Sequence, residues 1–322
     1  MNKYLVISID VEPDCTSSWR YSNPLTFNGV QEGIKNRLQP LFNAYANPPT
    51  YLINNVVLEN DASVNTLKSL EGDYELGTHL HPEFIEPQKE VYQYDGQRSD
   101  ANCCFYPHEI ESGKIESITN LFAKKIGYKP TSFRAGRFSA AGNTLDTLAR
   151  LGYKVDTSVT PNVIWEDRTR ESPVDFRNAF VQPYFARHGT ILEEDKTGKL
   201  LEVPVSISNK PSSLLREMKE SRFGLKRSMR KTSPMWLRPV YSSTKQFIEI
   251  VESFSKLYVH NEVLVFNMMF HNVEVMPGLS PYTQNEEQCV AYLKQIEDFF
   301  KYCQSEHIMG IKLTDVYALY RS

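Results

Sequence analysis

Five short segments of the sequence carry side chains that could bind a metal or move protons, and they lie far apart along the chain. They are Asp10-Val11-Glu12, His79-Leu80-His81, the stretch from Arg134 to Arg137, Asp156-Thr157-Ser158, and His271. Carboxylates and imidazoles are the usual ligands of catalytic divalent metals and the usual acids and bases near neutral pH. Each segment alone has an ordinary explanation, such as a helix cap, a surface ion pair or a buried structural histidine. They predict a reaction centre only if the fold brings them together.

Two of these segments repeat a polar residue at a spacing of two. In an extended chain, that spacing points both side chains of Asp10 and Glu12 the same way, so one carboxylate can bind a metal while the other acts as a base. His79 and His81 follow the same rule, because Pro82 keeps His81 out of helical angles. Two histidines and a carboxylate are the ligand set of a catalytic zinc or a related divalent ion. Glu83, four residues after His79, is a rival third ligand if a helical turn begins at Pro82.

The elements that would position these residues alternate between strands and helices. Apolar runs predict strands at 3–9, 50–54, 73–79, 131–136, 153–159, 200–207, 262–270 and 308–313. Helical spacing predicts helices at 31–46, 61–70, 111–126, 142–151, 243–258 and 285–306. About seven or eight such units are sufficient to close a parallel barrel, and an open doubly wound sheet is the competing geometry. In either fold the reactive residues gather at the carboxyl ends of the strands, where all five segments fall.

Length and composition are those of an ordinary globular protein. The chain has 322 residues, of which 41% are hydrophobic and 23% charged, and we expect one domain over residues 1–322 with irregular insertions at 82–110 and 160–240. The apolar run at the N-terminus is too short for a signal peptide or a membrane span. Five cysteines without the paired spacing of a zinc ribbon fit a reducing compartment. These features predict a cytoplasmic protein.

Basic residues are concentrated in one stretch, although the net charge of the chain is −3. Residues 210–238 contain nine basic and only two acidic side chains. This stretch is either a solvated helix and loop, or a surface for an anionic sugar precursor or for peripheral contact with the inner face of a membrane. Nucleic-acid binding is disfavoured, because the stretch contains few aromatic side chains on which bases could stack.

In their order along the chain, the five segments resemble the motifs of the polysaccharide deacetylases, the NodB-like carbohydrate esterase family 4. The similarity extends over residues 4–313 and is greatest to the branch found in lipopolysaccharide and O-antigen biosynthesis, through HLHP at 79–82, FRAGR at 133–137 and HNVEVMPGLSPY at 271–282. The resemblance implies a distorted (β/α)7 barrel with loop insertions. It also implies metal-dependent hydrolysis of an N-acyl group, normally N-acetyl, on a sugar or polysaccharide precursor.

The resemblance also implies a role for the residues around the metal. Asp10 matches the general base that activates the attacking water. The metal-binding aspartate that usually follows is replaced by Val11, and Glu12 occupies a position used as a ligand by some members. His79 matches the first metal-binding histidine. The second normally comes four residues later, at Glu83, but we favour His81 as the third ligand because imidazole suits zinc.

The remaining roles belong to the proton donor and its supports. Arg134 matches the arginine that pairs with the base, and His271 matches the general acid that protonates the departing amine. Asp156 matches the acid that orients this histidine. Ser280 to Tyr282 are expected to shape the substrate side.

Two other functions remain open on the sequence alone, and a third is disfavoured. A catalytically inactive, sugar-binding relative is suggested by Val11 and by the altered histidine spacing. A deformylase acting on a formamido sugar would use the same site. A glycoside hydrolase is disfavoured, because Asp10 and Glu12 lie two residues apart on one strand end, whereas that chemistry needs carboxylates on both sides of the bond.

Overall fold

Seven parallel strands form the main sheet of the computed structural model, which describes residues 1–89, 101–166, 174–209 and 234–321. Along the chain they are β1 (Asn2–Val11), β2 (Pro49–Asn54), β3 (Glu75–Leu80), β4 (Ser132–Ala135), β5 (Val155–Asp156), β9 (Leu201–Glu202) and β12 (Val263–His271). Their order in the sheet is β12-β1-β2-β3-β4-β5-β9. The sheet also contains β8 (Tyr184–Phe185) and β13 (Met309–Ile311). The β8 strand is antiparallel to β9, and β13 pairs in parallel with the start of β1.

The two ends of this sheet meet through hydrogen bonds just beyond β9. The Ser206 backbone N–H donates to the Asn267 carbonyl at 3.0 Å, and the Asn267 N–H donates to Ser206 Oγ at 2.8 Å. The Asn267 side-chain amide also donates to the Val203 carbonyl at 3.1 Å. These bonds bring the chain after β9 beside β12, so the sheet curls into the distorted barrel that we expected, and the open doubly wound sheet is wrong.

Helices cover the outside of the sheet. They are α1 (Gln39–Ala44), α2 (Asn55–Leu58), α3 (Asp61–Lys68), α4 (His108–Ile126), α5 (Gly142–Leu151), α6 (Thr244–Leu257), α7 (Glu286–Ser305) and α8 (Leu313–Arg321). Six of them lie close to the predicted positions, whereas α2 and α8 were not predicted. A π-helix, Gly29–Leu38, leads directly into α1, so the predicted helix at 31–46 has two parts. Gly127 and Gly152 end α4 and α5 with left-handed φ angles of 104° and 92°, which glycine adopts without steric cost. In the part of the chain described here, no helix is both long and apolar enough to cross a membrane.

Alternation along β1 decides which side chains reach the barrel interior. Leu5, Ile7 and Ile9 belong to the large core. Val6, on the other face of the strand, packs at the bottom of the barrel with Leu313 of α8 and other apolar residues. Ser8 lies two residues further along this inner face and is fully buried. The inner face therefore changes from apolar to polar toward the carboxyl end of β1, which is where the reactive segment begins.

The two irregular regions expected from the sequence contain short elements. Three-residue helical turns occur at Pro82–Phe84 and Cys103–Phe105. Antiparallel pairs are formed by β6 (Ile164–Trp165) with β7 (Val174–Asp175), and by β10 (Ile207–Asn209) with β11 (Pro234–Trp236). The strand predicted at 200–207 is thus divided between β9 and β10. Residues 210–233, on which the expected membrane contact depends, lie outside the described residues.

Candidate metal centre and acid–base site

Three side chains at the carboxyl ends of β1 and β3 place one potential ligand atom each around a common point. Glu12 Oε1 lies 3.3 Å from His79 Nε2 and 3.1 Å from His81 Nε2. The two Nε2 atoms are 3.2 Å apart. Ligands about 2.0–2.1 Å from one zinc ion are separated by roughly 3.0–3.4 Å, so the donor set has both the chemistry and the spacing of a divalent-metal site.

The position of Glu12 follows from the strand and from a neighbouring asparagine. Asp10 ends the inner face of β1, Val11 points into the core, and Glu12 turns inward again. Asn272 accepts a hydrogen bond from the Glu12 N–H at 2.8 Å and donates one to the Glu12 carbonyl at 3.1 Å. The apolar residue at position 11 is therefore compatible with a ligand at position 12, because the extended backbone is fixed from both sides.

His79 is oriented for metal binding by its other ring nitrogen. Its Nδ1 faces the Arg134 backbone carbonyl at 3.2 Å, and a carbonyl oxygen can only accept a hydrogen bond. A proton therefore belongs on Nδ1, and Nε2 is the ring nitrogen of His79 that could bind a metal. A hydrogen bond of this kind to the remote nitrogen is typical of metal-bound histidines.

His81, rather than Glu83, supplies the third atom of this cluster. Glu83 lies behind the ring, with Oε1 3.7 Å from His81 Nδ1 and 3.1 Å from Arg137 Nη1. Burial opposes protonation of His81, but the Glu12 carboxylate outweighs it and raises the pKa of this histidine to about 10. His81 is therefore cationic in the metal-free protein, and a bound cation would replace that proton.

Asp10 lies beside this cluster and is held by Arg134. The Arg134 Nη1 atom donates to Asp10 Oδ1 at 2.6 Å, while its Nη2 donates to Ser8 Oγ at 2.6 Å and its Nε donates to the Thr157 carbonyl at 2.9 Å. Burial alone would raise the pKa of Asp10, but the guanidinium and the neighbouring imidazoles hold it below its usual value. The second oxygen, Oδ2, lies 3.8 Å from His271 Nε2. Asp10 is therefore an ionised carboxylate with one oxygen committed to arginine and the other facing the site.

His271, at the end of β12, is held by an acid and an arginine that the sequence analysis did not identify. Its Nδ1 lies 2.9 Å from Glu274 Oε1, and that oxygen accepts from Arg238 Nη2 at 2.6 Å. Burial opposes ionisation of Glu274, but Arg238 and His271 together lower its pKa. Glu274 comes three residues after His271, and the helical turn Asn272–Val275 brings the two side chains together. Arg238 was counted within the basic stretch, and its low exposure is a property of the fold alone.

Asp156, expected to orient His271, has other partners. Asp156 Oδ1 accepts from Ser158 Oγ at 2.7 Å, and the residue pairs across β5 and β9 with Glu202. Within the described ranges, Asp156 makes no hydrogen bond or ion pair with His271, whose Nδ1 faces Glu274 instead. Burial and repulsion from Asp156 raise the pKa of Glu202 well above its usual value. The two carboxyls thus form a buried acidic pair in which Glu202 holds a proton more tightly than a carboxyl in water.

Aromatic rings border the side of the site that carries His271. The partly buried Trp19 ring lies 4.9 Å from the His271 ring and 5.6 Å from the Tyr282 ring, measured between centroids. Tyr282 Oη is 3.3 Å from Tyr241 Oη, and Tyr241 also lies over the Arg238 guanidinium at 4.5 Å. Tyr282 was expected near the substrate, whereas Trp19 and Tyr241 carry no recognisable spacing in the sequence. Rings of this kind offer flat apolar faces on which a sugar ring can pack.

Comparisons with known proteins give the fold. No protein-family model matches this sequence, and no curated protein matches it. A structure from Mycobacterium smegmatis assigned as a polysaccharide deacetylase aligns with a TM-score of 0.55 at 13% identity, over 100% of this chain and 91% of that one. A Pseudomonas aeruginosa PAO1 structure, also assigned as a polysaccharide deacetylase, aligns with a TM-score of 0.54 at 12% identity, over 98% of this chain and 89% of that one. A Parabacteroides distasonis structure assigned as a glycoside hydrolase/deacetylase aligns with a TM-score of 0.61 at 9% identity, over 99% of this chain and 71% of that one. The chain therefore has the barrel fold of the polysaccharide deacetylases.

Proposed function

We propose that this protein is a metal-dependent amide hydrolase that removes an N-acyl group, normally N-acetyl, from a sugar or polysaccharide precursor. The observation that carries the proposal is the meeting of Glu12, His79 and His81 beside an arginine-paired carboxylate and a carboxylate-paired histidine. The barrel shared with polysaccharide deacetylases supports the same function. The biological setting that we propose is cell-surface polysaccharide biosynthesis in the cytoplasm.

Glu12, His79 and His81 would hold the metal, for which we propose zinc. The ligand atoms are within 3.3 Å of one another, and two imidazoles with one carboxylate leave further positions open. A divalent cation held there supplies Lewis acidity, which polarises the amide carbonyl and makes water a stronger nucleophile.

Asp10 is proposed as the general base. Its Oδ1 is occupied by Arg134 at 2.6 Å, so Oδ2 is the oxygen that can take a proton from the attacking water. Arg134 makes this carboxylate ionised and immobile before substrate arrives. Its remaining donors are bound to Ser8 and Thr157, so the guanidinium itself cannot turn away.

His271 is proposed as the general acid. Glu274 accepts from Nδ1, which leaves Nε2 as the nitrogen that faces the site, 3.8 Å from Asp10 Oδ2. An amine cannot leave as an anion, so its nitrogen must be protonated as the carbon–nitrogen bond breaks. His271 Nε2 would deliver that proton next to the Trp19 ring, on which the sugar would pack.

The test combines turnover with metal content. Asp10→Asn should abolish release of acetate from N-acetylated sugars, while the purified variant keeps as much zinc as the wild type by plasma emission. Asp73→Asn is the matched control, because Asp73 forms an exposed ion pair with Lys312, and it should leave both readouts unchanged. Loss of zinc in Asp10→Asn would contradict the assigned roles, and a wild-type protein without zinc or acetate release would contradict the function. Formate release from N-formyl sugars, assayed in parallel, separates a deformylase from a deacetylase.

A further inference from the structure

The hydroxyl group of Tyr21 lies between two of the proposed metal ligands, although Tyr21 belongs to none of the five reactive segments. It is 3.1 Å from Glu12 Oε2 and 3.5 Å from His81 Nδ1. These are the atoms on the far sides of the two ligand groups, because Glu12 Oε1 and His81 Nε2 face the metal position. A single hydroxyl therefore contacts both ligands from behind.

A third neighbour fixes the direction of these hydrogen bonds. The Asn54 side-chain amide donates to Tyr21 Oη at 3.2 Å. The assignment of nitrogen to that position is supported by the other end of the amide, because Asn54 Oδ1 accepts from the Val56 N–H at 2.7 Å as the cap of α2. Since the Tyr21 oxygen accepts from Asn54, its own proton is free for the carboxylate, which can only accept.

The ring of Tyr21 has little freedom to move its hydroxyl away. It packs against Phe84, with centroids 5.6 Å apart, and Phe84 in turn stacks on the His81 ring at 6.4 Å and an interplanar angle of 6°. Asn54 at the end of β2 and the ring of Phe84 thus hold Tyr21, and Tyr21 in turn contacts Glu12 and His81. Metal sites depend on such supports, since removing a group that orients a ligand typically weakens metal binding by about 10–100-fold.

We propose that Tyr21 is a positioning residue that holds Glu12 and His81 in their metal-binding orientations, with Asn54 directing its proton to Glu12. The inference rests on the proposed metal site. It explains how a glutamate two residues beyond the base can serve as a ligand. The longer side chain of Glu12 needs a fixed second oxygen to act through Oε1 alone, and Tyr21 binds that oxygen.

The test measures Zn²⁺ affinity by competition with a chromophoric chelator, using protein stripped of metal, and needs no substrate. Tyr21→Phe removes only the hydroxyl and should weaken Zn²⁺ binding by about 10–100-fold. Tyr51→Phe is the matched control, since the buried Tyr51 hydroxyl donates to Gln39 at 2.8 Å and contacts no proposed ligand. Its Zn²⁺ affinity should stay within about twofold of the wild type.

Asn54→Ser provides a second variant, because serine keeps the helix cap but cannot reach Tyr21. Asn54→Ser should weaken Zn²⁺ binding by about threefold or more. If Tyr21→Phe does not fold, the result with Asn54→Ser decides the test. Unchanged affinity in Tyr21→Phe and Asn54→Ser would overturn the inference and leave the metal site standing. An equal loss in Tyr51→Phe would also overturn it, since the effect would then be general destabilisation, visible as a lower melting temperature of the metal-free proteins. A wild type that binds no Zn²⁺ would overturn both the inference and the proposed function.

Discussion

Two pairs of buried carboxyl groups in the same barrel have opposite electrostatic surroundings. Asp10 and Glu12, at the end of β1, face an arginine and imidazoles, and the pKa of each is lowered despite burial. Asp156 and Glu202, paired across β5 and β9, face each other, and burial raises the pKa of both. All four are almost completely removed from solvent. Burial alone therefore does not distinguish a candidate base or ligand from a structural acid.

The difference lies in compensating positive charge. A carboxylate taken out of water is costly unless a cation or several donors replace the lost hydration, and otherwise it stays protonated. Arg134 provides that compensation to Asp10 directly, through an ion pair in which Arg134 Nη1 lies 2.6 Å from Asp10 Oδ1. The same arginine reaches the other pair only at longer range, as a weak influence on Glu202. The first pair therefore has the compensated negative charge that a metal ligand and a general base both need, and the second pair lacks it.

The largest expected effect comes from removing the compensating charge. Arg134→Met should lower turnover by about a thousandfold or more, because Asp10 loses its partner and its ionised form is no longer stabilised. It should also cost about 3–5 kcal/mol in the free energy of unfolding, since an uncompensated charge stays buried. Steady-state kinetics and denaturant unfolding measure the two effects. Arg150→Met, which breaks an exposed ion pair with Glu116, should change neither by a comparable amount.

A smaller loss should follow from the acid behind the proton donor. Glu274→Gln should lower kcat by about 100-fold, within the range typical of general acid catalysis, because His271 loses the carboxylate that orients and charges it. Its Zn²⁺ content should not change. Asp156→Asn is the informative comparison, since the family resemblance gives Asp156 this same role. If Asp156→Asn lowers kcat more than Glu274→Gln does, the orientation of His271 through Glu274 is refuted.

Metal binding beside the first pair should release a proton from His81, and this release should be measurable. The raised pKa of His81, about 10, keeps this ring protonated in the metal-free protein at neutral pH. Zn²⁺ must displace that proton, so its affinity should rise about tenfold for each pH unit between pH 6 and pH 8. Isothermal titration in buffers of different ionisation enthalpy counts the protons released. A pH-independent affinity would show that His81 is not a ligand.

The smallest effect should appear at the second pair, in the pH dependence of stability. The pKa of Glu202 is higher in the folded protein than in the unfolded chain, where it is about 4.3. Its contribution to the free energy of unfolding is therefore fully present below the unfolded-state pKa and is lost as the pH rises through the folded-state pKa. Glu202→Gln is neutral at every pH, and should therefore gain melting temperature relative to the wild type as the pH increases from 4 to 8. A constant difference across this range would mean that Glu202 ionises normally.

Much of the fold could be predicted, because it depends on local patterns. Apolar alternation and helical spacing located most strands and helices of the described barrel to within a few residues. The strands predicted at 153–159 and 200–207 are much shorter in the structure, and β6 to β8, β11, α2 and α8 were not predicted. Strands so short carry no periodicity, and their pairing is decided by what lies against them in space.

By itself, the sequence determined which residue types could do the chemistry and on which face of each strand they lie. Alternation along β1 and β3 has period two, so the spacing of Asp10 with Glu12, and of His79 with His81, directed each pair to one side. The tertiary structure alone decided which partners they meet. Tyr21, Arg238 and Glu274 owe their places to loops and strand ends that converge across the barrel. Contacts between residues distant in sequence depend on the packing of the whole sheet, which no local spacing encodes.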